Sequence, residues 1–198
     1  MKDKPRTVTQ DDIAMVRKVA SWLGGTYKPF HFFHDEIDLS IDILHFPDVP
    51  TEGAISYTTV GLSDTPVTWG DGEFPTRLEI VGASYSKNKL FPDVLGTAAF
   101  TIIRSQKPCV PGTVIPNCVV EYFPETHLPH LYFTAPFSWE DDSFDELKLP
   151  LKTVNWLQAF PISQAEYEFK NEFGNEKLED LFEENEIDIF DMERPSVV

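Results

Sequence analysis

The stretch VNWLQAFPISQAEYEF, residues 154–169, decides the fold, because a strand pattern in it passes directly into the start of a helix. Its first half is an apolar run with aromatic side chains, which is typical of a buried strand. Its second half opens on Ser163-Gln-Ala-Glu166, a capping box in which the Ser163 hydroxyl and the Glu166 carboxylate each accept a hydrogen bond from the other residue's backbone N–H. We therefore predict a strand that continues without a loop into a helix ending at Gly174.

Similar patterns predict the other elements. Strands are expected where β-branched or alternating apolar residues recur, at EIDLSIDIL (36–44), ISYTTVGL (55–62), RLEIVGA (77–83), CVVEYF (118–123) and HLYFTA (130–135). A first helix is expected after the N-cap Thr9, and its apolar face is predicted to carry Ile13, Val16, Ala20 and Leu23. FPDVLGTAAFTIIRS (91–105) has a proline in its first turn and a broad apolar stripe, which favours a central buried helix.

The element order α-β-β-β-α-β-β-β-α-α indicates the fold class. It favours an α+β fold, an α/β sandwich in which a mixed, largely antiparallel central sheet of about six or more strands is covered by helices. The chain has 198 residues, of which 41% are hydrophobic and 13% aromatic. That is enough to bury one sizeable core, so we expect a single domain over residues 1–198.

Charge is the strongest signal in the composition. The chain has 33 acidic and 16 basic residues, a formal net charge of −17. Residues 139–198 alone carry 17 acidic and 5 basic side chains. Such a surface repels nucleic acid phosphates and anionic lipid, and it favours basic partners through long-range attraction. We therefore expect a protein partner and neither a nucleic acid nor a membrane; nothing in the sequence indicates an oligomeric state.

The cysteines and the N-terminus indicate the compartment. Cys109 and Cys118 are too few for a disulfide framework, and their spacing fits neither a zinc site nor a redox motif, so structural cysteines are favoured. The opening MKDKPRTVTQDD is not followed by the apolar segment of a signal peptide, and no apolar run is long enough to span a membrane. A cytoplasmic, reduced protein is expected.

Motifs for catalysis or metal binding are weak throughout. The pairs His31/His34 and His127/His130 have a spacing of three, but neighbouring prolines predict turns or extended segments, and the context of a catalytic zinc site is missing. The glycines of TWGDGEFP lack the lysine of a phosphate-binding loop. There is no G-x-S-x-G nucleophile motif either. We predict no catalytic residue, no metal and no cofactor, although catalysis by a pair of carboxylates stays open because acids are so numerous.

One acidic segment combines charge with aromatic residues. In FSWEDDSFDELKLP, residues 137–150, Trp139 and Phe144 are surrounded by five acids, Glu140, Asp141, Asp142, Asp145 and Glu146. In one interpretation this is a solvated loop whose aromatic side chains fold back onto the core. In the other, the aromatic residues anchor a partner and the acids complement its basic charge.

The chain resembles the suppressor-of-fused domain family, and most closely its small bacterial members. The resemblance runs from about residue 37 to the end, and it is carried by blocks that occur in the family's order: YTTVGLSD (57–64), RLEIVGAS (77–84), LYFTAPFSWE (131–140), WLQAFPISQAEYEF (156–169) and IDIFDMERPSVV (187–198). The resemblance implies an α/β sandwich that binds protein and does not catalyse a reaction. The family's contact residues form no short motif, so none is transferred to this chain by position.

Bacterial single-domain members of that family are similar to immunity proteins, or antitoxins, paired with polymorphic toxins, including LXG-type toxins with nuclease ends. The resemblance therefore implies an immunity protein that binds a cognate toxin stoichiometrically, with a basic nuclease domain as the expected target. The acidic charge fits this role, because a nuclease active site is built to hold phosphates. Two alternatives stay open: a general adaptor for an endogenous regulator, and a small hydrolase that depends on carboxylates or a metal.

The C-terminal stretch EDLFEENEIDIFDMERPSVV, residues 179–198, is predicted to divide into two parts. Asn175 should cap a short helix that packs its apolar residues Leu178, Leu181 and Phe182 inward. The acids of this helix, Glu179, Asp180, Glu183 and Glu184, should lie in water and form a second candidate binding surface. The apolar residues Ile187, Ile189 and Phe190 are expected to dock on the domain, and Arg194 is expected to pair with a local acid.

Overall fold

Four helices belong to the part of the chain that the computed structural model describes, residues 7–140 and 142–198. They are α1 (Gln10–Leu23), α2 (Phe91–Ser105), α3 (Gln164–Phe173) and α4 (Asn175–Glu184). The longest of them has 15 residues. No helix in the described residues has both the length and the apolar composition needed to cross a bilayer.

Ten strands belong to the same part of the chain. They are β1 (Lys28–His34), β2 (Leu39–Pro47), β3 (Ala54–Val60), β4 (Thr68–Trp69), β5 (Gly72–Glu73), β6 (Arg77–Tyr85), β7 (Val114–Ile115), β8 (His130–Thr134), β9 (Leu147–Lys148) and β10 (Thr153–Ile162). Eight of them form one sheet in the order β1-β2-β3-β6-β10-β8-β7, with β9 paired to β10, while β4 and β5 form a separate ribbon. Among the described strands, only β6 and β10 pair in parallel. The predicted α+β class with a mixed, largely antiparallel sheet is confirmed.

The sheet has helices on both faces. Side chains of a strand point alternately to opposite sides, so a single strand contributes to the packing on both faces. On β10, Leu157 and Ala159 pack in the cluster that contains the apolar stripe of α2. Trp156 and Phe160 point to the other face. There Trp156 packs with α1, and Phe160 packs with α4 and the C-terminal segment. This second face is thus divided between two groups of elements, and both candidate binding surfaces lie on it.

The capping box predicted at Ser163 and the N-cap predicted at Thr9 are both present. The Ser163 N–H donates to Glu166 Oε2 at 2.8 Å, and the Glu166 N–H donates to Ser163 Oγ at 3.0 Å. Thr9 and Asp12 make the corresponding pair of bonds at the start of α1. The cap predicted for α4 was wrong, since its N-cap is Gly174 and Asn175 is the first helical residue.

The predicted apolar face of α1 was shifted by about one residue. The buried apolar residues of the helix are Met15, Val19 and Leu23, whereas Ile13, Val16 and Ala20 are only partly buried. Both sets have helical spacing, so periodicity alone did not separate them. Contact with β2 and β3, through Leu44, Phe46 and Val60, selects the observed face.

Two strand predictions need correction, and a segment that was left open forms a strand. CVVEYF is a series of turns, in which the Val119 carbonyl accepts hydrogen bonds from the N–H groups of Tyr122 and Phe123. For the KPFHFFH segment a turn and an extended chain were both left open, and the extended form is observed, as the edge strand β1. At an edge, a proline costs no ladder hydrogen bond. The strand expected from residue 36 starts at Leu39, since the preceding residues make the turn from β1.

Candidate functional site

The histidine pairs lie in separate surroundings. His31 Nδ1 is 3.0 Å from Asp42 Oδ1, whereas His34 packs edge-on against the Phe100 ring. His127 Nε2 donates to the Arg194 carbonyl at 2.6 Å. His130 Nδ1 accepts the N–H of Asn117, so its Nε2 carries the proton that is donated to Gln164 Oε1 at 2.7 Å. Among the described residues, no group of three or more His, Cys, Asp or Glu side chains is placed to hold a metal ion.

The two cysteines are free and buried. Burial raises the pKa of both the Cys109 and the Cys118 thiols to about 12. A thiol with so high a pKa is protonated at neutral pH and is a poor nucleophile. Both side chains pack in the cluster around α2, which fits the structural role expected for them.

The aromatic residues of the acidic loop, residues 139–146, point into the protein. Phe144 is 5% exposed, and its ring lies 5.3 Å from the Trp22 ring and 5.0 Å from the Trp139 ring. The Trp139 indole donates its Nε1–H to Ser56 Oγ at 2.9 Å. Trp156 completes this cluster under α1. Of the two interpretations of the loop, the packing of its aromatic side chains onto the core is therefore the observed arrangement.

The acids of the loop remain on its surface. Glu140, Asp142, Asp145 and Glu146 are exposed, and Asp141 lies outside the described residues. Asp142 and Phe144 adopt positive φ angles of 70° and 63°, as the chain reverses and turns the Phe144 ring inward. The surface of this loop thus offers charge without the apolar anchors that were predicted to accompany it, and a binding role for its acids stays a prediction.

The second candidate surface, helix α4, differs from its prediction at one acid. Leu178 and Phe182 are buried as expected, Leu181 is partly buried, and Asp180, Glu183 and Glu184 are exposed. Glu179 is not simply in water. Its Oε1 accepts hydrogen bonds from the Tyr132 hydroxyl at 2.7 Å and the Thr134 hydroxyl at 2.8 Å. Burial, followed by this bond to Glu179, raises the pKa of Tyr132, which therefore stays a donor.

A groove of about 510 Å³ lies beside α4, and we call it the acidic groove. Its sides come from the end of β8, from β10, from α4 and from the segment that follows α4. Its lining residues are Thr134, Phe137, Phe160, Glu179, Phe182, Glu183, Glu186, Ile187 and Ile189. The groove therefore combines apolar side chains with three carboxylates, and its lining includes neither lysine nor arginine.

Phe137 is the most exposed apolar residue of the acidic groove, with 62% of its surface accessible. Its backbone is nevertheless fixed, because its N–H donates to Oε1 of the buried Gln158 at 3.0 Å. Gln158 Nε2 in turn donates to Ser138 Oγ at 2.6 Å. Sequence patterns did not single out Phe137 or Glu186. The only available signal was an aromatic residue next to the predicted loop, on the opposite side of Ser138 from Trp139.

The wall of the groove after α4 is held by a buried ion pair. Arg194 donates to both carboxylate oxygens of Glu166, at 2.7 and 2.9 Å, and the two side chains are 4% and 0% exposed. The N–H of Val197 donates to Glu166 as well. Arg194 was expected to pair with a local acid, but its partner is the capping-box glutamate 28 residues away. The predicted docking is confirmed, since Ile187, Ile189 and Phe190 pack in the cluster around Phe182.

Known proteins share this arrangement of sequence and fold. Residues 38–195 match the family model described as suppressor of fused protein (SUFU). The chain belongs to the suppressor of fused family. Within the family it is 41% identical over 191 residues to Immunity protein YqcF of Bacillus subtilis (strain 168), which covers 96% of this chain and 99% of YqcF.

Solved structures show that the SUFU fold extends well beyond this level of identity. A SUFU homologue from Neisseria gonorrhoeae superposes with a TM-score of 0.71 at 17% identity, and the match covers 96% of each chain. A chain of the Sufu-Fu complex gives a TM-score of 0.61 at 14% identity, with coverage of 94% of this chain and 89% of the other. Drosophila Suppressor of Fused gives 0.59 at 12% identity, and this chain matches 50% of its length. These likenesses concern the fold.

Proposed function

We propose that this protein is an immunity protein that binds a cognate toxin in the cytoplasm and neutralises it by stoichiometric contact. The observation that supports this proposal most directly is the 41% identity to Immunity protein YqcF over nearly the full length of both proteins. Binding needs no cofactor and no turnover. It needs a surface that is complementary to the toxin and an association that is fast enough to prevent damage to the cell.

The charge of the chain favours a basic toxin, and a nuclease domain is the proposed type. A net charge of −17 on 198 residues produces a strong field, and complementary fields raise the association rate more than they raise the affinity. A nuclease active site attracts phosphate, so an acidic inhibitor can approach it along the same field. The exposed acids of the loop and of α4 supply this charge on one face of the sheet.

The test is co-expression of this chain with the product of each neighbouring gene. One neighbour is expected to arrest growth when it is expressed alone, and growth should recover when this chain is present. The two proteins should then co-purify in a fixed ratio. An unrelated acidic protein of similar size and net charge is the control, and it should give no rescue. If no neighbour is toxic, or if this chain fails to restore growth, the immunity role is wrong and an adaptor role becomes the better proposal.

A further inference from the structure

We propose that the acidic groove is the docking site for the toxin, and that its occupant is a segment in which an apolar side chain is bordered by lysine or arginine. This inference rests on the proposed function for the identity of the partner. It goes further in naming which surface binds, and it assigns the loop acids to long-range attraction only. The argument combines the shape of the groove, its exposed aromatic residue and its charge.

The apolar part of the groove can bury a side chain of the partner. Phe160, Phe182 and Ile189 form a floor that belongs to the core cluster of α4, so it is rigid and already shaped. A volume of about 510 Å³ exceeds that of any single side chain, so a short segment can enter. Interface energy concentrates where a rigid pocket excludes water from an apolar anchor.

Phe137 gives the groove an exposed aromatic rim. A free loop would lose conformational entropy on fixing such a side chain, but the backbone of Phe137 is already hydrogen-bonded to the buried Gln158. An aromatic ring that is held in place and 62% exposed is the kind of side chain that contributes strongly when a partner covers it. The corresponding rings of the acidic loop, Trp139 and Phe144, are already covered by the protein itself.

The carboxylates define the charge of the occupant. Glu183 and Glu186 lie exposed on the rim, and Glu179 lies deeper, where two hydroxyl groups orient its Oε1. A carboxylate fixed beside apolar surface attracts a cation more strongly than one in bulk water, because the local dielectric is lower. The stem of a lysine or arginine side chain can cover apolar surface while its charged end meets these acids. A basic and apolar segment therefore satisfies both features of the groove.

Two charge-reversal variants test the groove against the loop with the same change in net charge. Glu183→Lys/Glu186→Lys alters the groove, and Glu140→Lys/Asp145→Lys alters the loop. All four side chains are exposed, so both variants should fold, which circular dichroism and thermal unfolding can check. Binding kinetics are measured with the toxin domain identified by growth rescue. We expect the groove variant to dissociate at least about tenfold faster, and the loop variant to change mainly the association rate.

An uncharged substitution separates the contribution of direct contact to binding from the contribution of charge. Phe137→Ala should weaken binding to the toxin domain about tenfold or more, at unchanged thermal stability. If the groove and loop reversals change both rate constants equally, or if Phe137→Ala binds like the wild type, the groove is not the docking site although the immunity role stands.

A peptide probe keeps the test independent of the toxin. The acetylated, amidated peptide Lys-Lys-Phe-Lys-Lys is titrated into the isotopically labelled protein up to roughly millimolar concentration, where weak binding is detectable by NMR. Shifts are expected for the backbone amides of Phe137, Phe182 and Ile187, and the peptide with serine in place of phenylalanine should give smaller ones. If growth rescue fails but the amides of the groove shift, the immunity role alone is overturned. Absence of groove shifts with both peptides overturns the groove.

Discussion

The acidic loop, residues 139–146, and the region of α4 with the segment after it look alike in sequence and differ in structure. Each mixes phenylalanine with a dense run of acids. In the loop, the Phe144 and Trp139 rings pack under α1, and the surface that remains is charged. Beside α4, Phe182 is buried on the helix side, but the neighbouring Phe137 stays exposed and the groove between them stays open. Acids around covered rings make a solvated surface, whereas acids around an uncovered one make a candidate binding site.

The difference arises from the side chains that each segment contacts when it packs on the sheet. Under α1, the rings of Trp22 and Trp156 are available from other elements, and Phe144 completes their cluster. At the other end of the same face, α4 and the C-terminal segment lie side by side over β8 and β10, and Phe137, just before the loop, does not fill the gap beside them. The acidic groove is thus a product of tertiary packing.

The largest effect is expected from the ion pair that holds the wall of the groove. Arg194→Ala leaves the fully buried Glu166 carboxylate without its charged partner, which costs about 3–5 kcal/mol. The free energy of unfolding should fall by this amount in urea denaturation. The loop has an ion pair too, Lys148 with Glu146 at 3.4 Å, but both side chains are well exposed. Lys148→Ala should therefore cause no measurable loss, and a similar loss for both variants would contradict the proposed distinction.

The next test compares two phenylalanines that are seven residues apart. Phe144→Ala removes a buried ring from the cluster under α1 and should lower the free energy of unfolding by about 3 kcal/mol. Phe137→Ala removes a ring that is 62% exposed and should change it by less than about 0.5 kcal/mol. Thermal or urea unfolding of the two variants measures both values. Equal losses would show that Phe137 is part of the core and would remove the exposed rim of the groove.

Local patterns predicted those parts of the fold whose causes are local. The helix caps at Thr9 and Ser163 appeared where predicted, because each depends only on residues three positions apart. The strand pattern of CVVEYF misled, since turn hydrogen bonds and the neighbouring prolines outweighed its β-branched residues. For the segment of β1 the sequence left a turn and an extended chain open, because Pro29 is unfavourable in an internal strand and only the sheet order shows that this strand lies at an edge.

The candidate site was less accessible to sequence reasoning than the fold. The acids of α4 could be recognised from composition, but their role depends on contacts between distant segments. Glu179 meets the hydroxyl group of Tyr132, 47 residues earlier in the chain. Glu166 was recognised as a helix cap, whereas its bond to Arg194 crosses 28 residues. Neither of these two side-chain pairings could be predicted from the sequence, because no local pattern connects the partners.

A smaller effect is expected at the base of the groove, where Tyr132 and Glu179 form a partly buried hydrogen bond. Tyr132→Phe removes one of the two donors to Glu179 Oε1 and should lower the free energy of unfolding by about 1 kcal/mol. In a double-mutant cycle with Glu179→Ala, which removes the acceptor, the coupling energy should be of similar size, because the two side chains are in direct contact. The four proteins are compared by urea denaturation. A coupling energy near zero would mean that the hydroxyl does not orient the carboxylate.

The last comparison concerns two buried glutamates on the two halves of the sheet face that packs against α1 and α4. Glu166 is paired with Arg194, whereas Glu79, on the half that carries the loop, accepts hydrogen bonds from the Thr59 hydroxyl and from the N–H groups of Gly61 and Ser63. Burial raises the pKa of Glu79 above its ordinary value of 4.5. At pH values between the ordinary pKa and the raised pKa, the folded state binds more protons than the unfolded state. The contribution of Glu79 to stability therefore falls as the pH rises from the ordinary to the raised pKa, and it is constant above the raised pKa.

Glu79→Gln removes this titration. The free energy of unfolding of the wild type relative to the variant should therefore decrease as the pH is raised through the window and level off above the raised pKa. The measurement is urea denaturation of both proteins over about pH 5 to 8, at low protein concentration because the net charge becomes small near pH 4.5. Glu73→Gln, at an exposed acid of β5, is the control. A stability difference for Glu79→Gln that is independent of pH, or that increases with pH, would show that this carboxylate is already charged in the fold. Glu79 would then resemble Glu166, and the two halves of the face would not differ in how they hold a buried acid.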